Sequence, residues 1–310
     1  MKILVTGGAG FIGSHLVRKL LAEGEQVTVL DNFSTGSRAN LPDSAQGLDC
    51  IEMDVNDVRL AEVFDKGHFD AVVHLAGQTT VHISMESPEL DGHENIIGSI
   101  HVLEQARRTS VKRVIFASTA ASYGDVAEEK LPIVESEPLQ PMSFYGLSKV
   151  TVEHYLRLYQ KAFGLDFVIL RFANVYGERQ GNGGEGGVIS IFAKRLAEGK
   201  GLTIYGDGEQ TRDFIYAGDI AAGIYAALYT KHVNHAYNLS SQTETSLKEL
   251  VSIFADVSGK EIEPAYEKAR PGDIYKSMLA NGRACRSLGW APAVPLREGL
   301  RRTYEYFAEQ

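Results

Sequence analysis

The feature that most constrains the fold is an alternation of short apolar runs with helical patterns over the first part of the chain. The runs are apolar throughout and rich in β-branched residues, as strands buried on both faces of a sheet should be. Alternation of this kind, with right-handed crossovers, predicts an α/β fold built on a Rossmann-like doubly wound parallel sheet. The runs are residues 2–7, 26–31, 48–53, 71–77, 113–118 and 166–172, and the helical patterns are 11–23, 56–65, 94–109 and 144–163.

After about residue 173 the pattern changes to shorter elements. We therefore predict two domains, residues 1–172 and 173–310, of which the second is a smaller α/β lobe partly interleaved with the first. The glycine-rich stretch QGNGGEGG (180–187) is open to two readings, a plain surface loop or a segment that closes over a ligand. The later elements are helical patterns near 188–198, 218–229 and 246–257, apolar runs at 202–206 and 236–240, and a predicted C-terminal helix.

Composition narrows the class of protein. With 44% hydrophobic and 23% charged residues the chain is typical of a soluble globular protein, and no apolar run is long enough for a transmembrane helix. MKILVTGG enters a strand directly and does not resemble a signal peptide. Cys50 and Cys285 form no CxxC motif, which predicts unpaired thiols in a reducing cytoplasm. The net charge of −9 disfavours nucleic-acid binding.

A glycine-rich loop, TGGAGFIG (6–13), follows the first predicted strand and opens the first predicted helix. Gly7, Gly10 and Gly13 allow a tight turn and let the backbone approach a pyrophosphate, which faces the free N–H groups of the helix. Asp31 ends the second strand, where a carboxylate can accept both ribose hydroxyls and repel a 2′-phosphate. The loop therefore predicts dinucleotide binding, with NAD preferred over NADP.

Polar residues also follow the next two strands, at the edge where an open parallel sheet binds its ligand. Asp54 and Asp57 follow the third strand, and helix capping is the plain alternative for Asp57. We expect His74, at the end of the fourth strand, to be hydrogen-bonded within the sheet. Arg38 is the residue that would oppose the preference for NAD.

FYGLSK places Tyr145 and Lys149 four residues apart, on one face of a predicted helix. An ammonium near a phenol lowers the phenol's pKa, and a phenolate can take a proton from a substrate hydroxyl while hydride leaves the adjacent carbon. The pair suits reversible oxidation of an alcohol, and a chance pair on a solvated helix is the alternative. Ser118 and Thr119, at the end of the fifth strand, are predicted to point into the cleft or to form an ordinary turn.

These motifs together identify a family. The chain resembles extended short-chain dehydrogenases/reductases, most closely the NAD-dependent nucleotide-sugar epimerases of the UDP-glucose 4-epimerase type. The resemblance covers essentially all 310 residues and depends on segments in the same order as in that family. They are TGGAGFIGSHL, LDNFSTG, HLAG, ASTAASYG, FYGLSK, LRFANVYG, YGDGEQTRDFIY, ARPGD and LGW.

The resemblance implies roles for individual residues. The implied catalytic residues are Thr119, Tyr145 and Lys149. The implied NAD contacts are Gly7, Gly10, Phe11, Ile12, Gly13, Asp31, Asn32, Asp54, Val55, Leu75, Ala76, Gly77, Asn95, Ser118, Tyr145 and Lys149. The implied substrate contacts are Thr119, Asn174, Val188, Thr203, Tyr205, Arg212, Arg270, Asp273 and Ser277. Two arginines can clamp a diphosphate and an aromatic ring can stack on uracil, whereas surface salt bridges are the alternative for the arginines.

The implied reaction begins with oxidation of C4 of the sugar. Sugar 4,6-dehydratases carry an Asp-Glu pair directly after the threonine for elimination, and decarboxylases typically carry an acidic residue there. Ala120 and Ala121 occupy those positions here, which favours 4-epimerisation. Ser277, small where the family can have a bulky aromatic residue, suggests room for an N-acetyl sugar, and Ala280 departs from a common aspartate.

Several alternatives stay open. UDP-glucuronate as substrate, a non-catalytic NAD-sensing protein and a one-way ketoreductase are compatible with parts of the pattern. Metal chemistry has little support, because HVNH (232–235) lacks a third ligand. The resemblance implies a homodimer formed through the helices near 94–109 and 144–163.

Overall fold

The computed structural model describes residues 1–43, 45–181, 187–269 and 274–310. Within these residues eight strands follow the predicted runs, and five strands of two or three residues were not predicted. They are β1 (Lys2–Thr6), β2 (Gln26–Asp31), β3 (Leu48–Glu52), β4 (Ala71–His74), β5 (Arg113–Thr119), β6 (Asp166–Phe172), β7 (Asn174–Tyr176), β8 (Thr203–Tyr205), β9 (Thr211–Arg212), β10 (Phe214–Tyr216), β11 (His235–Leu239), β12 (Thr245–Ser246) and β13 (Ala265–Glu267).

The helices flank these strands, and a π-helical segment, Gly92–Ile97, runs directly into α5. The helices are α1 (Phe11–Ala22), α2 (Leu60–Gly67), α3 (Val81–Glu86), α4 (Pro88–Asp91), α5 (Gly98–Arg108), α6 (Phe144–Phe163), α7 (Val188–Ala197), α8 (Ala217–Tyr229), α9 (Leu247–Ser258), α10 (Gly282–Leu288) and α11 (Leu296–Ala308). Short 3₁₀ segments lie at Arg38–Asn40, Ala120–Ser122 and Glu128–Lys130.

The main sheet has seven parallel strands in the order β11-β6-β5-β4-β1-β2-β3. This confirms the predicted doubly wound sheet. Strands β1 and β4 are neighbours although β2 and β3 lie between them in the chain, and Thr6 pairs with His74. The loops after β1 and β4 therefore meet at the point where the strand order reverses, which is where such a sheet binds its ligand.

Helices cover both faces of this sheet. Helices α1 and α8 bury Leu16, Leu20, Ile220 and Ile224 on one face, and α2, α5 and α6 bury a second apolar cluster on the other. A third cluster joins α7, α9 and α11, with Phe192, Phe254 and Leu300 in its interior. Strand β11 returns from this later part of the chain to pair with β6 in the main sheet.

Two predicted helices differ from the structure. The helix predicted over 56–65 begins only at Leu60, because Asp54 Oδ1 accepts from Asn56 N (2.8 Å) and Asp57 Oδ1 from Arg59 N (2.8 Å), which holds the preceding residues in turns. The helix predicted over 94–109 begins as the π-helical segment, and α3 and α4 before it were not predicted at all.

Both cysteines are free thiols, as predicted. Within the described ranges, no helix has the length and apolar character needed to cross a bilayer.

Candidate active site

The loop between β1 and α1 is tightly constrained at its glycines. Gly7 has φ +69°, and a Cβ there would lie 2.8 Å from Ala76 N in the loop after β4. A Cβ on Gly13 would lie 2.1 Å from Gly7 O. Gly10 precedes α1 without a capping side chain, so the first-turn N–H groups at Phe11 and Ile12 are available to an anion.

The acidic residue at the end of β2 organises the same loop. Asp31 is buried, and its two oxygens accept from Ala9 N (2.9 Å) and Phe33 N (2.9 Å). Arg38 stacks on the Phe33 ring and pairs with Glu52 at 3.1 Å. The residue that could have favoured a 2′-phosphate is therefore held by a carboxylate.

The next residues along this edge are joined by side-chain hydrogen bonds. Asn32 Nδ2 donates to Asp54 Oδ2 at 2.7 Å. Val55 is buried against the start of α5, where a Cβ on Gly98 would lie 2.9 Å from its side chain.

Asn95 carries a buried acceptor without a protein partner. It is 2% exposed, and its Nδ2 donates to Gln78 O, Asp91 Oδ1 and Ser148 Oγ, each at 3.0 Å. Its Oδ1 is buried and receives no hydrogen bond. A Cβ on Gly77 (φ +147°) would lie 2.4 Å from this oxygen. The predicted contacts Leu75–Gly77 and Asn95 thus meet around an unpaired acceptor, which fits a ligand with hydroxyl or amide donors.

The three predicted catalytic side chains come together between β5 and α6. Ser143 begins α6 by accepting from Gly146 N (3.1 Å), and a Cβ on Gly146 would lie 2.7 Å from Ala121 O. This close approach brings the Tyr145 hydroxyl beside the Thr119 side chain. Lys149 Nζ lies 5.9 Å from the centre of the Tyr145 ring.

Burial shifts the pKa values of both Tyr145 and Lys149 in the protein by itself. Burial raises the pKa of Tyr145 to about 12, partly offset by the Thr119 side chain. Burial lowers the pKa of Lys149 to about 8, partly offset by the charge of Asp91. The pKa of Tyr145 in the protein by itself is therefore not lowered, because desolvation of the phenolate dominates.

Ser118 does not point into the cleft, so that prediction is wrong. Successive residues of a strand face opposite sides, and Thr119 takes the cleft side. The Ser118 hydroxyl donates instead to Glu153 Oε1 at 2.7 Å. A cofactor contact by Ser118 is therefore restricted to its backbone.

Ser118 belongs to a buried polar network that the sequence did not reveal. Glu153 and Arg171 are 1% and 2% exposed, and Arg171 donates to both Glu153 oxygens, from Nε at 2.9 Å and Nη2 at 2.6 Å. Arg171 Nη1 donates to Tyr123 OH at 2.8 Å, and Tyr123 donates to Asn238 Oδ1 at 2.7 Å. The network thus joins α6 to β5, β6 and β11 behind Thr119.

His74 is hydrogen-bonded within the sheet, as predicted. Its ring contacts Thr6 Oγ1 at 2.7 Å and Ser99 Oγ at 3.0 Å. Burial lowers the pKa of His74 to about 3, so the ring is neutral near pH 7.

The predicted substrate contacts after residue 172 lie on separate elements. Asn174 begins β7 with its side chain exposed, Val188 begins α7, and Thr203 and Tyr205 are half-buried on β8. Arg212 ends β9, and its Nη1 donates to Thr211 O at 2.8 Å. The predicted contacts Arg270 and Asp273 lie outside the described residues.

Ser277 lies in a segment that is anchored on both sides. Tyr275 O accepts from Thr211 N at 3.0 Å, and Tyr275 OH donates to Asp207 Oδ2 at 2.9 Å. Leu279 N donates to Asp213 Oδ2 at 3.1 Å. The segment is therefore held beside Arg212 by backbone and side-chain contacts.

Comparison with known proteins agrees with this geometry. The family model for the NAD dependent epimerase/dehydratase family matches residues 3–240. A putative UDP-glucose 4-epimerase from Methanocaldococcus jannaschii is 41% identical over 305 residues, covering 98% of this chain and 97% of that protein.

Two solved structures with high similarity to this chain are also nucleotide-sugar epimerases. The UDP-glucose 4-epimerase from Thermotoga maritima with UDP-glucose has a TM-score of 0.95 at 39% identity, covering 100% of this chain and 99% of that one. The UDP-N-acetylglucosamine 4-epimerase from Methanobrevibacter ruminantium has a TM-score of 0.94 at 34% identity, covering 99% and 98%. This chain belongs to the NAD-dependent epimerase/dehydratase family, in the extended short-chain dehydrogenase/reductase group.

Proposed function

We propose that this protein is an isomerase that epimerises a UDP-sugar at C4 through a transient 4-keto intermediate, with NAD as a resident cofactor. The observation that carries the proposal is the position of Tyr145 beside Thr119, next to Ala120 and Ala121. This arrangement provides a proton carrier for a sugar hydroxyl and no acidic side chain in the adjoining turn.

The residues around the β1 loop fit NAD. Gly7, Gly10 and Gly13 would receive its pyrophosphate, Asp31 its adenosine ribose, and the unpaired Asn95 Oδ1 a donor at its other end. When bound, NAD supplies a hydride acceptor, and its positive charge favours the Tyr145 phenolate.

Tyr145 would hold the proton in both half-reactions. It takes the proton of the C4 hydroxyl as hydride leaves C4, and it returns the proton when hydride is restored to the other face of the keto sugar. Thr119 orients the tyrosine hydroxyl and the substrate oxygen. Because the proton and the hydride both return, the reaction has no net redox change.

Arg212 would hold the diphosphate while the keto sugar rotates, together with the predicted contact Arg270. Tyr205 would stack on the uracil ring. We assign substrate binding to the lobe formed after residue 172 and cofactor binding to residues 1–172.

The adjoining turn disfavours elimination. Ala120 and Ala121 form a 3₁₀ turn capped by Thr119, whose Oγ1 accepts from Ala121 N at 3.1 Å. Loss of water across C5–C6 needs an added acid and base, and methyl groups supply neither.

The identity of the substrate sugar is proposed from the side chain of Ser277. Its small side chain leaves room for an N-acetyl group, so we propose UDP-glucose and UDP-galactose as substrates and UDP-N-acetylglucosamine and UDP-N-acetylgalactosamine as further ones. UDP-glucuronate is the alternative substrate.

The test is product analysis without added cofactor. The purified protein is incubated separately with UDP-glucose, UDP-N-acetylglucosamine, UDP-glucuronate and dTDP-glucose, and the sugar rings are followed by NMR. A C4 epimer supports the proposal and names the sugar. A 4-keto-6-deoxy sugar or a pentose would contradict it, as would bound NAD with no turnover of any substrate.

We also propose a cytoplasmic homodimer. Helix α6 exposes Leu147 and Leu158, which are 48% and 62% exposed, and Ile97 before α5 is 41% exposed. Two copies packed through α5 and α6 would cover these side chains. Sedimentation of Leu158→Glu should show a monomer, with exposed Met85→Glu on α3 as the control; an unchanged dimer would contradict this interface.

A further inference from the structure

Asp91 is a buried acid that has no role in the mechanism proposed above. It ends α4 and is 1% exposed. Its Oδ1 accepts from Gln78 Nε2 at 2.9 Å and from Asn95 Nδ2 at 3.0 Å. Burying a carboxylate this deeply costs free energy unless hydrogen bonds or opposite charges stabilise it.

Asp91 decides which way the Asn95 amide points. The nitrogen and oxygen of an amide have nearly the same shape, so their orientation depends on the partners. Asn95 Nδ2 faces three acceptors, Gln78 O, Asp91 Oδ1 and Ser148 Oγ. A flipped amide would place its oxygen against the carboxylate and the carbonyl, which is repulsive. The acceptors therefore direct Oδ1 toward Gly77 and the cofactor loops.

The charge of Asp91 also acts on the Lys149 ammonium. Lys149 is 4% exposed, and the groups around it come from four elements: Tyr145 on α6, Asp91 on α4, His74 on β4 and the Phe116 ring on β5, 5.1 Å from Nζ. His74 is neutral because burial and Lys149 both lower its pKa. Asp91 raises the pKa of Lys149 against the effect of burial.

We propose that Asp91 is a positioning residue that orients Asn95 toward the cofactor and supplies the negative charge that balances Lys149. The proposal rests on the proposed function for its kinetic consequence, but its effect on cofactor binding does not require turnover. The signal in the sequence is the four-residue spacing of Asp91 and Asn95 in DGHEN.

The experiment compares Asp91→Asn with Glu89→Gln, an exposed acid on the same short helix. Both variants lose one negative charge, but only the first replaces the charged acceptor of Gln78 and Asn95 by a neutral amide, whose nitrogen can face the Asn95 amide instead. For each purified protein, the rate of NAD release is measured between neutral and alkaline pH, and the pH profile of kcat/KM is recorded.

We expect Asp91→Asn to release NAD about tenfold faster, the scale of one lost hydrogen bond. We also expect its alkaline limb of kcat/KM to move to lower pH, because Lys149 loses its proton more easily without the carboxylate. Glu89→Gln should match the wild type in both. Equal NAD release from the two variants, together with an unmoved alkaline limb, would overturn the proposal.

A second variant keeps the test decisive if Asp91→Asn does not fold. Asp91→Glu keeps the charge and displaces the oxygens, so it should release NAD faster without moving the alkaline limb. A limb shifted in Asp91→Glu would contradict the role of charge. If no variant turns over any sugar, the NAD release rates still test the proposal while the proposed function fails.

Discussion

One face of α6 carries two buried clusters with opposite hydrogen-bonding character. Tyr145, Lys149 and Glu153 follow each other at intervals of four residues and so share that face. At Glu153 both oxygens are bound by Arg171, and Ser118 adds a third donor. Around Lys149, by contrast, the buried Asn95 Oδ1 has no protein partner.

We call Glu153 with its partners Arg171, Ser118 and Tyr123 the scaffold cluster. We call Tyr145, Lys149 and Asn95 the site cluster. Buried polar groups in folded proteins are nearly always paired, so a complete network is what structure alone requires. An unpaired acceptor beside buried charged groups instead indicates where a ligand completes the bonding. Four predictions test this division, from the largest expected effect to the smallest.

Tyr145→Phe tests the site cluster. Removing the hydroxyl takes away the proton carrier, so we expect kcat to fall about 10³-fold with the fold and bound NAD retained. Epimerase assays and circular dichroism measure this, with Tyr155→Phe on the same helix as the control. Full activity of Tyr145→Phe would rule out its proposed role.

Glu153→Ala tests the scaffold cluster. It leaves the buried Arg171 guanidinium unpaired, and we expect the free energy of unfolding to fall by about 3–5 kcal/mol. Urea denaturation measures the change, and Glu62→Ala, which breaks the exposed pair with Lys66, should change stability little. A loss of NAD without a loss of stability would instead place Glu153 in the site.

His74 lies near Lys149 but is hydrogen-bonded at both ring nitrogens, and it tests the effect of burial through pH. The pKa of its ring is lowered to about 3, against about 6.5 when unfolded, so between these values only the unfolded chain binds the proton. The free energy of unfolding should fall as pH falls through this window, by up to about 1.4 kcal/mol per pH unit.

The matching variant is His74→Gln. Its unfolding free energy should depend less steeply on pH, while the similar contribution of His15, whose pKa burial lowers to about 4, remains in both proteins. Urea midpoints measured across the window give the two slopes. Parallel slopes would mean that His74 is protonated in the folded protein.

Tyr123→Phe should have the smallest effect. It removes the hydroxyl between Arg171 and Asn238, and we expect a loss of about 1 kcal/mol with activity and bound NAD unchanged. Thermal denaturation measures it, with exposed Tyr266→Phe as the control. A large loss of activity would show that the scaffold cluster takes part in the chemistry.

Local patterns were sufficient for β1 to β6, six of the seven strands of the main sheet, and for the residues that meet at its carboxyl edge. They assigned the β11 run and the α8 pattern to the second lobe, whereas β11 pairs with β6 and α8 packs on the main sheet. The apolar runs, the glycine loop and the Tyr145–Lys149 spacing each depend on neighbouring residues, and their geometry follows from strand and helix periodicity. Asp31 and Thr119 could be placed for the same reason, since each ends a predicted strand.

Only the tertiary structure decided which polar groups are paired. Ser118 and Thr119 are adjacent in sequence, yet the strand sends one to Glu153 and leaves the other beside Tyr145. The raised pKa of Tyr145 depends on burial by several elements, which a spacing of four residues does not contain. Desolvation and hydrogen bonding between distant segments are properties of packing, and packing arises only when the elements come together.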